Sequence, residues 1–197
     1  MIQGINACGW VIPPFVIFAG KHHLSAWYKG DDIPNTWYIA VSETGWTINE
    51  LEVRWLEHFN AYTQSRTVGI HRLLIIDGHE SHNSLAFQNL CKESKIITLC
   101  MPPHSSHLLQ PLDVGCFSPL KRAYGDEISG LARDHINHID KITFLPAFRR
   151  AFERSFTEGN IRASFRGAGV VPYDPEAVLL KLDVKLRTPT PALPEAT

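Results

Sequence analysis

The chain has 197 residues, of which 44% are hydrophobic and 20% are charged, and its formal net charge is −1. This length and composition are enough for one domain with a buried core and argue against wholesale disorder. The near-zero charge excludes a free-standing DNA-binding module of the usual basic kind. The longest apolar run, around 11–19, is interrupted by Pro13 and Pro14 and is too short to span a bilayer. We therefore expect an intracellular protein that does not cross a membrane.

The first third of the chain predicts strands followed by a helix. Residues 2–7 and 11–18 are apolar runs joined by a Gly-containing turn, which is typical of a hairpin, and 36–41 is a third candidate strand. From Thr47 onward the apolar residues recur at helical spacing. Thr47 with Glu50 predicts a capping box at the start of that helix.

The middle of the chain predicts a β-α-β unit. Residues 71–76 and 96–100 are nearly continuous apolar runs, which favour strands covered on both faces, and a helix is predicted between them at 84–94. This order implies parallel pairing of the two strands with a right-handed crossover.

The last part is predicted to be mainly helical. A polar loop runs from Met101 to Asp113, and helices are predicted over 117–133, 141–158 and 160–166. We expect one domain over 1–182 and a Pro-rich, disordered tail over 183–197.

Two aspartates are the leading candidates for chemistry. Asp77 follows the strand predicted at 71–76, where ligands gather in open α/β sheets, although an Asx-turn would explain it equally well. Asp113 comes just before a predicted helix and could simply cap it. The 35 residues between them leave room for one α-β unit that would return the second carboxylate beside the first.

Paired carboxylates of this kind suit phosphodiester chemistry. Two Mg²⁺ ions about 3.5–4 Å apart can activate the attacking oxygen and stabilise the leaving oxygen. Mg²⁺ requires hard oxygen ligands. Such a site usually takes three converging carboxylates, and the sequence places only Asp77 and Asp113.

Four histidines form a second pattern around the same predicted strand ends. His79 and His82 make one HxxH pair, and His104 and His107 make another. Together they could bind Zn²⁺, but HxxH pairs arise easily by chance. We favour a role in lining the cleft or contacting nucleic acid, and add Lys121 to this nucleic-acid-binding set.

At this point the sequence resembles the DDE transposase domain of the pogo/Tigger type, which is related to centromere protein B. The two aspartate motifs, LLIIDGHESH at 73–82 and MPPHSSHLLQPLD at 101–113, are similar to the family's second and third aspartate motifs. Further segments at 5–7, 13–21, 42–46 and 165–173 are also similar. The likeness covers roughly 2–182.

The resemblance implies an α/β, RNase H-like mixed sheet flanked by helices, with a helical C-terminal part. It also implies hydrolysis and strand transfer at transposon DNA ends with Mg²⁺ or Mn²⁺, in the nucleus, with a homo-oligomer as one possible state. Asp77 and Asp113 would be catalytic metal ligands. The family's first Asp ends a central strand that precedes the hairpin, and this chain lacks that strand and the upstream helix-turn-helix modules.

Two function classes follow from this comparison. The first is a DDE transposase/endonuclease domain that is inactive alone because the first catalytic Asp is missing. The alternative is a non-enzymatic module derived from a transposase, which binds nucleic acid or another protein. Without the central strand, two strand edges would lose their partner.

Overall fold

The computed structural model describes residues 1–24, 27, 33–77, 84–136 and 138–182, so the predicted tail at 183–197 lies outside it. The fold is mixed α/β, about half helical, with two small sheets. The strands are β1 (Phe15–Ala19), β2 (Tyr38–Ser42), β3 (Arg72–Ile76) and β4 (Ile96–Cys100). The helices are α1 (Asn49–Thr63), α2 (Leu85–Glu93), α3 (Ser106–Leu109), α4 (Phe117–Arg133), α5 (Lys141–Ser155), α6 (Glu158–Gly167) and α7 (Glu176–Leu179). A 3-10 turn (Gln64–Arg66) follows α1, and a π-helical turn (Leu112–Cys116) precedes α4.

The first sheet pairs β1 with β2 in parallel. The segment before β1 folds back on it in the antiparallel direction, through bridges from Ile2 to Phe15 and from Ile5 to Val11. The predicted hairpin is therefore confirmed in its direction. The two prolines just before β1 have no N–H to donate, so they interrupt the hydrogen-bond ladder between the two arms. Only the part of the second arm that follows them forms a regular strand.

Strand β1 lies between two hydrophobic cores. Val16 and Phe18 contribute to a core built mainly by α4, α5 and α6. Phe15 and Ile17 contribute to a second core built by α1, α2, β3 and β4. The alternation of side chains along a strand explains how four consecutive apolar residues serve both cores.

The second sheet pairs β3 with β4 in parallel, with α2 as the crossover, as predicted. The prediction that both faces are covered is wrong for the described residues. Leu74 and Ile76 are buried, but Leu73, Ile97 and Leu99 on the other face are 62%, 53% and 52% exposed. Helices α1 and α2 cover only one face of this sheet, while α4, α5 and α6 pack against the first sheet.

The capping patterns predicted from the sequence can be compared with the first residues of the helices. Helix α1 begins after Ile48 without any side-chain cap, so the capping box predicted from Thr47 is wrong, because Thr47 lies one position too early. A true capping box starts α5, where Asp140 and Thr143 satisfy each other's backbone N–H groups. The bounds predicted for α4 are confirmed. No described helix is both long and apolar enough to cross a membrane.

Candidate active site

A groove of about 1020 Å³ runs between the two sheets, and we call it the central groove. Residues 1–8, which bridge to β1, line it on one side. Residues 72–77, which comprise β3 and the residue after it, line it on the other. Side chains of α1, residues 110–113 and further residues, among them Arg66, Phe117 and Phe165, also line it. The segment that bridges to β1, the strand β3 and both candidate aspartates therefore border one cavity.

Asp77 reaches the central groove from the end of β3. The last ladder bond of the β3–β4 pair runs from the Met101 N–H to the Ile76 carbonyl, at 2.9 Å. Asp77 follows directly, is exposed and lines the groove. Its carboxylate thus stands at the carboxyl end of a parallel strand, which is the position that the sequence predicts.

Asp113 reaches the same groove from the π-helical turn before α4. It is half-buried, and its N–H donates to the Gln110 carbonyl at 3.0 Å. The predicted alternative, a helix cap, is not what the turn shows, because Pro111 takes the cap position and no side chain caps it. Turns of π type are frequent at functional sites.

The Asp113 turn is fixed by a close approach to α6. A Cβ added to Gly115 would lie 2.7 Å from the Cβ of Ser164, so only glycine lets the two elements come this close. The adjacent Cys116 is fully buried, and its thiol is 3.6 Å from the Ser164 hydroxyl. Packing against α6 therefore sets the place of Asp113 in the groove.

Glu52 is an acidic residue of the groove that sequence analysis missed. It is 4% exposed and lines the groove from α1. The available signal was its position, since Glu52 lies three residues before Trp55 on the apolar stripe of the helix. Among the described residues, no three His, Cys, Asp or Glu side chains come together closely enough to hold a metal ion.

Arg72 anchors the β3 side of the groove. Its guanidinium donates to the Thr63 hydroxyl at 2.7 Å, the Asn60 side-chain oxygen at 2.6 Å and the Ser94 carbonyl at 2.7 Å. Burial lowers the pKa of Arg72 below its ordinary value. These bonds tie β3 to α1 and to the end of α2, so the role of this cation is to hold the strand.

The remaining predicted site residues lie elsewhere or outside the described residues. His79 and His82 belong to the latter group. His104, His107 and Lys121 are exposed, on the loop after β4, on α3 and on α4 respectively, and do not line the groove. Their assignment to nucleic-acid binding stays a prediction.

Residues 1–165 match the family model described as DDE superfamily endonuclease. The chain belongs to this family. Members generally use a divalent metal ion. The two groove aspartates fit such an ion in donor type, because Mg²⁺ binds through one or two carboxylates completed by water and substrate phosphate.

Two curated relatives are much longer than this chain. A protein of Cochliobolus lunatus called "MFS-type transporter clz9" is 66% identical over the whole chain, which spans 21% of it. A Chaetomium globosum protein called "Chaetoglobosin A biosynthesis cluster protein C" is 64% identical over 69 residues, which make up 35% of this chain and 17% of that protein. No solved structure matches. The chain thus spans about a fifth of the first relative's length.

Proposed function

We propose that this chain is a DDE endonuclease domain of the pogo/Tigger transposase type. In this proposal its two sheets correspond to an RNase H-like mixed sheet, and its substrate is DNA in the nucleus. Membership of the endonuclease family supports the reaction class. One observation carries the finer proposal. Asp77 and Asp113, which 35 residues separate, line the same groove from the end of a strand and from a turn held against α6.

In this proposal Asp77 and Asp113 are ligands of Mg²⁺ or Mn²⁺. The metal supplies charge stabilisation for the oxygens that attack and leave the phosphorus. The protein's own contribution is to hold the two carboxylates in place, through the β3 ladder and through the contact of Gly115 with Ser164. His79, His82, His104, His107 and Lys121 would contact the DNA around this centre.

We also propose that these 197 residues have little or no nuclease activity by themselves. Three carboxylates of the described residues line the groove, those of Glu52, Asp77 and Asp113, but no three metal-ligating side chains come close enough together to hold an ion. Two-metal phosphodiester chemistry needs ligands on both ions. A divalent ion bound by two carboxylates alone would bind weakly and would leave the second ion without protein ligands.

Metal binding is the direct test of the two aspartates. Mn²⁺ is titrated calorimetrically into the wild-type chain and into Asp77→Asn and Asp113→Asn variants. We expect each substitution to weaken binding at least about tenfold, or ~1.4 kcal/mol. Asp134→Asn is the matched control, because Asp134 is exposed at the end of α4 and does not line the groove. Equal affinities in all four proteins would refute the ligand assignment.

A nicking assay on supercoiled plasmid DNA with Mg²⁺ or Mn²⁺ tests the activity. We expect no cleavage above that of the Asp77→Asn variant. Robust cleavage that depends on Asp77 would contradict inactivity while supporting the ligand role. Cleavage that is equal in the wild type and the variant would indicate a contaminating nuclease.

A non-enzymatic module is the second candidate, and it is favoured because the described residues assemble no group of three metal-ligating side chains. DNA binding measured by fluorescence anisotropy would then be the same for the wild type and for a double Asp77→Asn, Asp113→Asn variant, with and without Mg²⁺. The zinc alternative is tested by elemental analysis of purified protein. Absence of stoichiometric zinc would remove it.

A further inference from the structure

Trp46, on the turn that follows β2, carries an indole ring that stands in solvent. It is 77% exposed, whereas Trp27 and Trp55 are buried and Trp10 and Trp37 are half-buried. All five tryptophans of the chain lie within the described residues. Tryptophan gains more than most residues from burial, so an indole left in water marks a candidate contact surface.

The turn that carries this ring is held by short-range contacts. The Gly45 N–H donates to the Ser42 carbonyl at 3.2 Å, and the Ser42 hydroxyl donates to the Trp46 carbonyl at 2.7 Å. Gly45 has a φ of +77°, and a Cβ there would lie 3.1 Å from the backbone nitrogen of Ala19. The turn is therefore packed directly on the end of β1, so the backbone of Trp46 is fixed while its ring is exposed.

Trp46 borders the same groove as the two candidate metal ligands. Strand β2 pairs with β1, and residues 2–5 bridge to the opposite edge of β1, so the turn after β2 lies away from that segment. Trp46 nevertheless lines the central groove, as Asp77 and Asp113 do. A ligand that occupies the groove at the aspartates can therefore extend to the indole.

Positive charge lies beside the Trp46 turn. The Gly20 N–H donates to the Ser42 carbonyl at 2.9 Å, which places the segment after β1 next to the turn. That segment continues with Lys21, which is exposed. The Nζ of Lys141 donates to the Ala19 carbonyl at 2.8 Å and adds a second cation at the end of β1. An exposed aromatic ring with cations beside it is the combination that binds single-stranded nucleic acid.

We propose that Trp46 stacks on an unpaired base of the DNA strand whose phosphate reaches Asp77 and Asp113, and that Lys21 contacts the backbone of that strand. This inference rests on the proposed nuclease function and narrows its substrate to DNA that is single-stranded or frayed at the reaction site. A base offers its face to a protein ring only when it has left the duplex stack. Stacking tolerates every base, so Trp46 selects for an unpaired strand rather than for a sequence.

A DNA strand suits this site better than an apolar protein partner does. Lys21 and Lys141 lie beside the turn, and Glu43 is the acidic side chain on it. A DNA strand carries a negative charge on every phosphate and is attracted by these cations. An apolar partner would instead have to remove all three charged groups from water without pairing them.

The test follows the anisotropy of fluorescein-labelled DNA as the full chain is added in the presence of Mg²⁺. One probe is an oligothymidine single strand, and the other is its duplex with oligoadenosine. We expect Trp46→Ala to weaken binding of the single strand at least about tenfold and binding of the duplex less than about twofold. Trp46→Phe keeps an aromatic ring and should recover most of the lost affinity. Tyr173→Ala is the matched control, because Tyr173 is an exposed aromatic residue that does not line the groove.

Tryptophan fluorescence shows whether the ring itself meets the base. A stacked base quenches indole emission, so saturation with oligothymidine should quench the wild type but not Trp46→Phe, although this variant still binds the strand. An equal loss of affinity for both probes, or quenching that persists in Trp46→Phe, would overturn the stacking proposal alone. Unchanged binding of both probes by Trp46→Ala would also overturn it and would leave the ring to a protein partner. If the wild type binds neither probe, this proposal and the DNA substrate of the proposed function fail together, while the Mn²⁺ titration still reports on the aspartates.

Discussion

The two sheets of this protein are built from equally apolar strands but are covered differently. In β1 the four residues from Phe15 to Phe18 are each no more than 9% exposed, because helices pack on both faces. Among the described residues only one face of the β3–β4 sheet is buried, and Leu73, for example, is 62% exposed on the other. An apolar run therefore predicts a strand that can be covered on both faces, while the number of helices nearby decides whether it is.

The largest expected effect separates the two sheets by their burial. Ile17→Ala in β1 should lower the free energy of unfolding by about 2–5 kcal/mol, since Ile17 is 9% exposed and its removal leaves a cavity. Ile97→Ala in β4 removes the same atoms from a 53% exposed position and should cost less than about 1 kcal/mol. Urea unfolding measures both. Similar losses would mean that the open face of the second sheet is covered in solution.

Sequence reasoning succeeded where the signal is local. Short apolar runs and the turn residues that end them predict the β-α-β unit, the bounds of α4 and the position of Asp77 at the end of β3. It also placed Asp113 before a helix, although the π-helical turn around it was not predicted. That turn depends on Gly115 meeting Ser164, which lies 49 positions further along and gives no local signal.

The failures concern contacts between distant segments. The parallel pairing of β1 with β2 was not predicted, and neither was the bare face of β3 and β4, because both depend on which helices pack where. Glu52 was missed for a related reason. A carboxylate on an apolar helical stripe looks like an exception until the fold shows that the stripe borders a groove.

A smaller effect distinguishes the helices that cover the two sheets. Asp140→Ala should destabilise the protein by about 1 kcal/mol, because the Asp140 carboxylate accepts from the N–H groups of Ile142 and Thr143 at 3.0 and 2.8 Å. Those bonds also lower the pKa of Asp140. Thr47→Ala, at the start of α1, should change stability by less than about 0.5 kcal/mol, since Thr47 caps nothing. A loss at Thr47 as large as that at Asp140 would show that α1 is capped in solution.

The smallest perturbation is chemical modification of cysteines in the native protein, which probes the covered face of the second sheet. Cys91, on α2, is 3% exposed, and burial raises the pKa of its thiol to about 11. Only the thiolate reacts, and pH 8 lies well below that pKa, so few Cys91 thiols are ionised there. Cys100, at the exposed end of β4, has no such cover.

We therefore expect a maleimide at pH 8 to modify Cys100 in the native protein far faster than Cys91, and both at similar rates in urea. Mass spectrometry of peptides measures the two rates, and Cys100→Ser confirms the assignment. Raising the pH toward 11 should speed the reaction of Cys91, because the thiolate fraction grows as the pH approaches its pKa. Equal native rates at pH 8 would mean that α2 leaves the sheet often enough to expose the face it covers. The covered and open faces would then differ in how often they are exposed, rather than in a fixed structure.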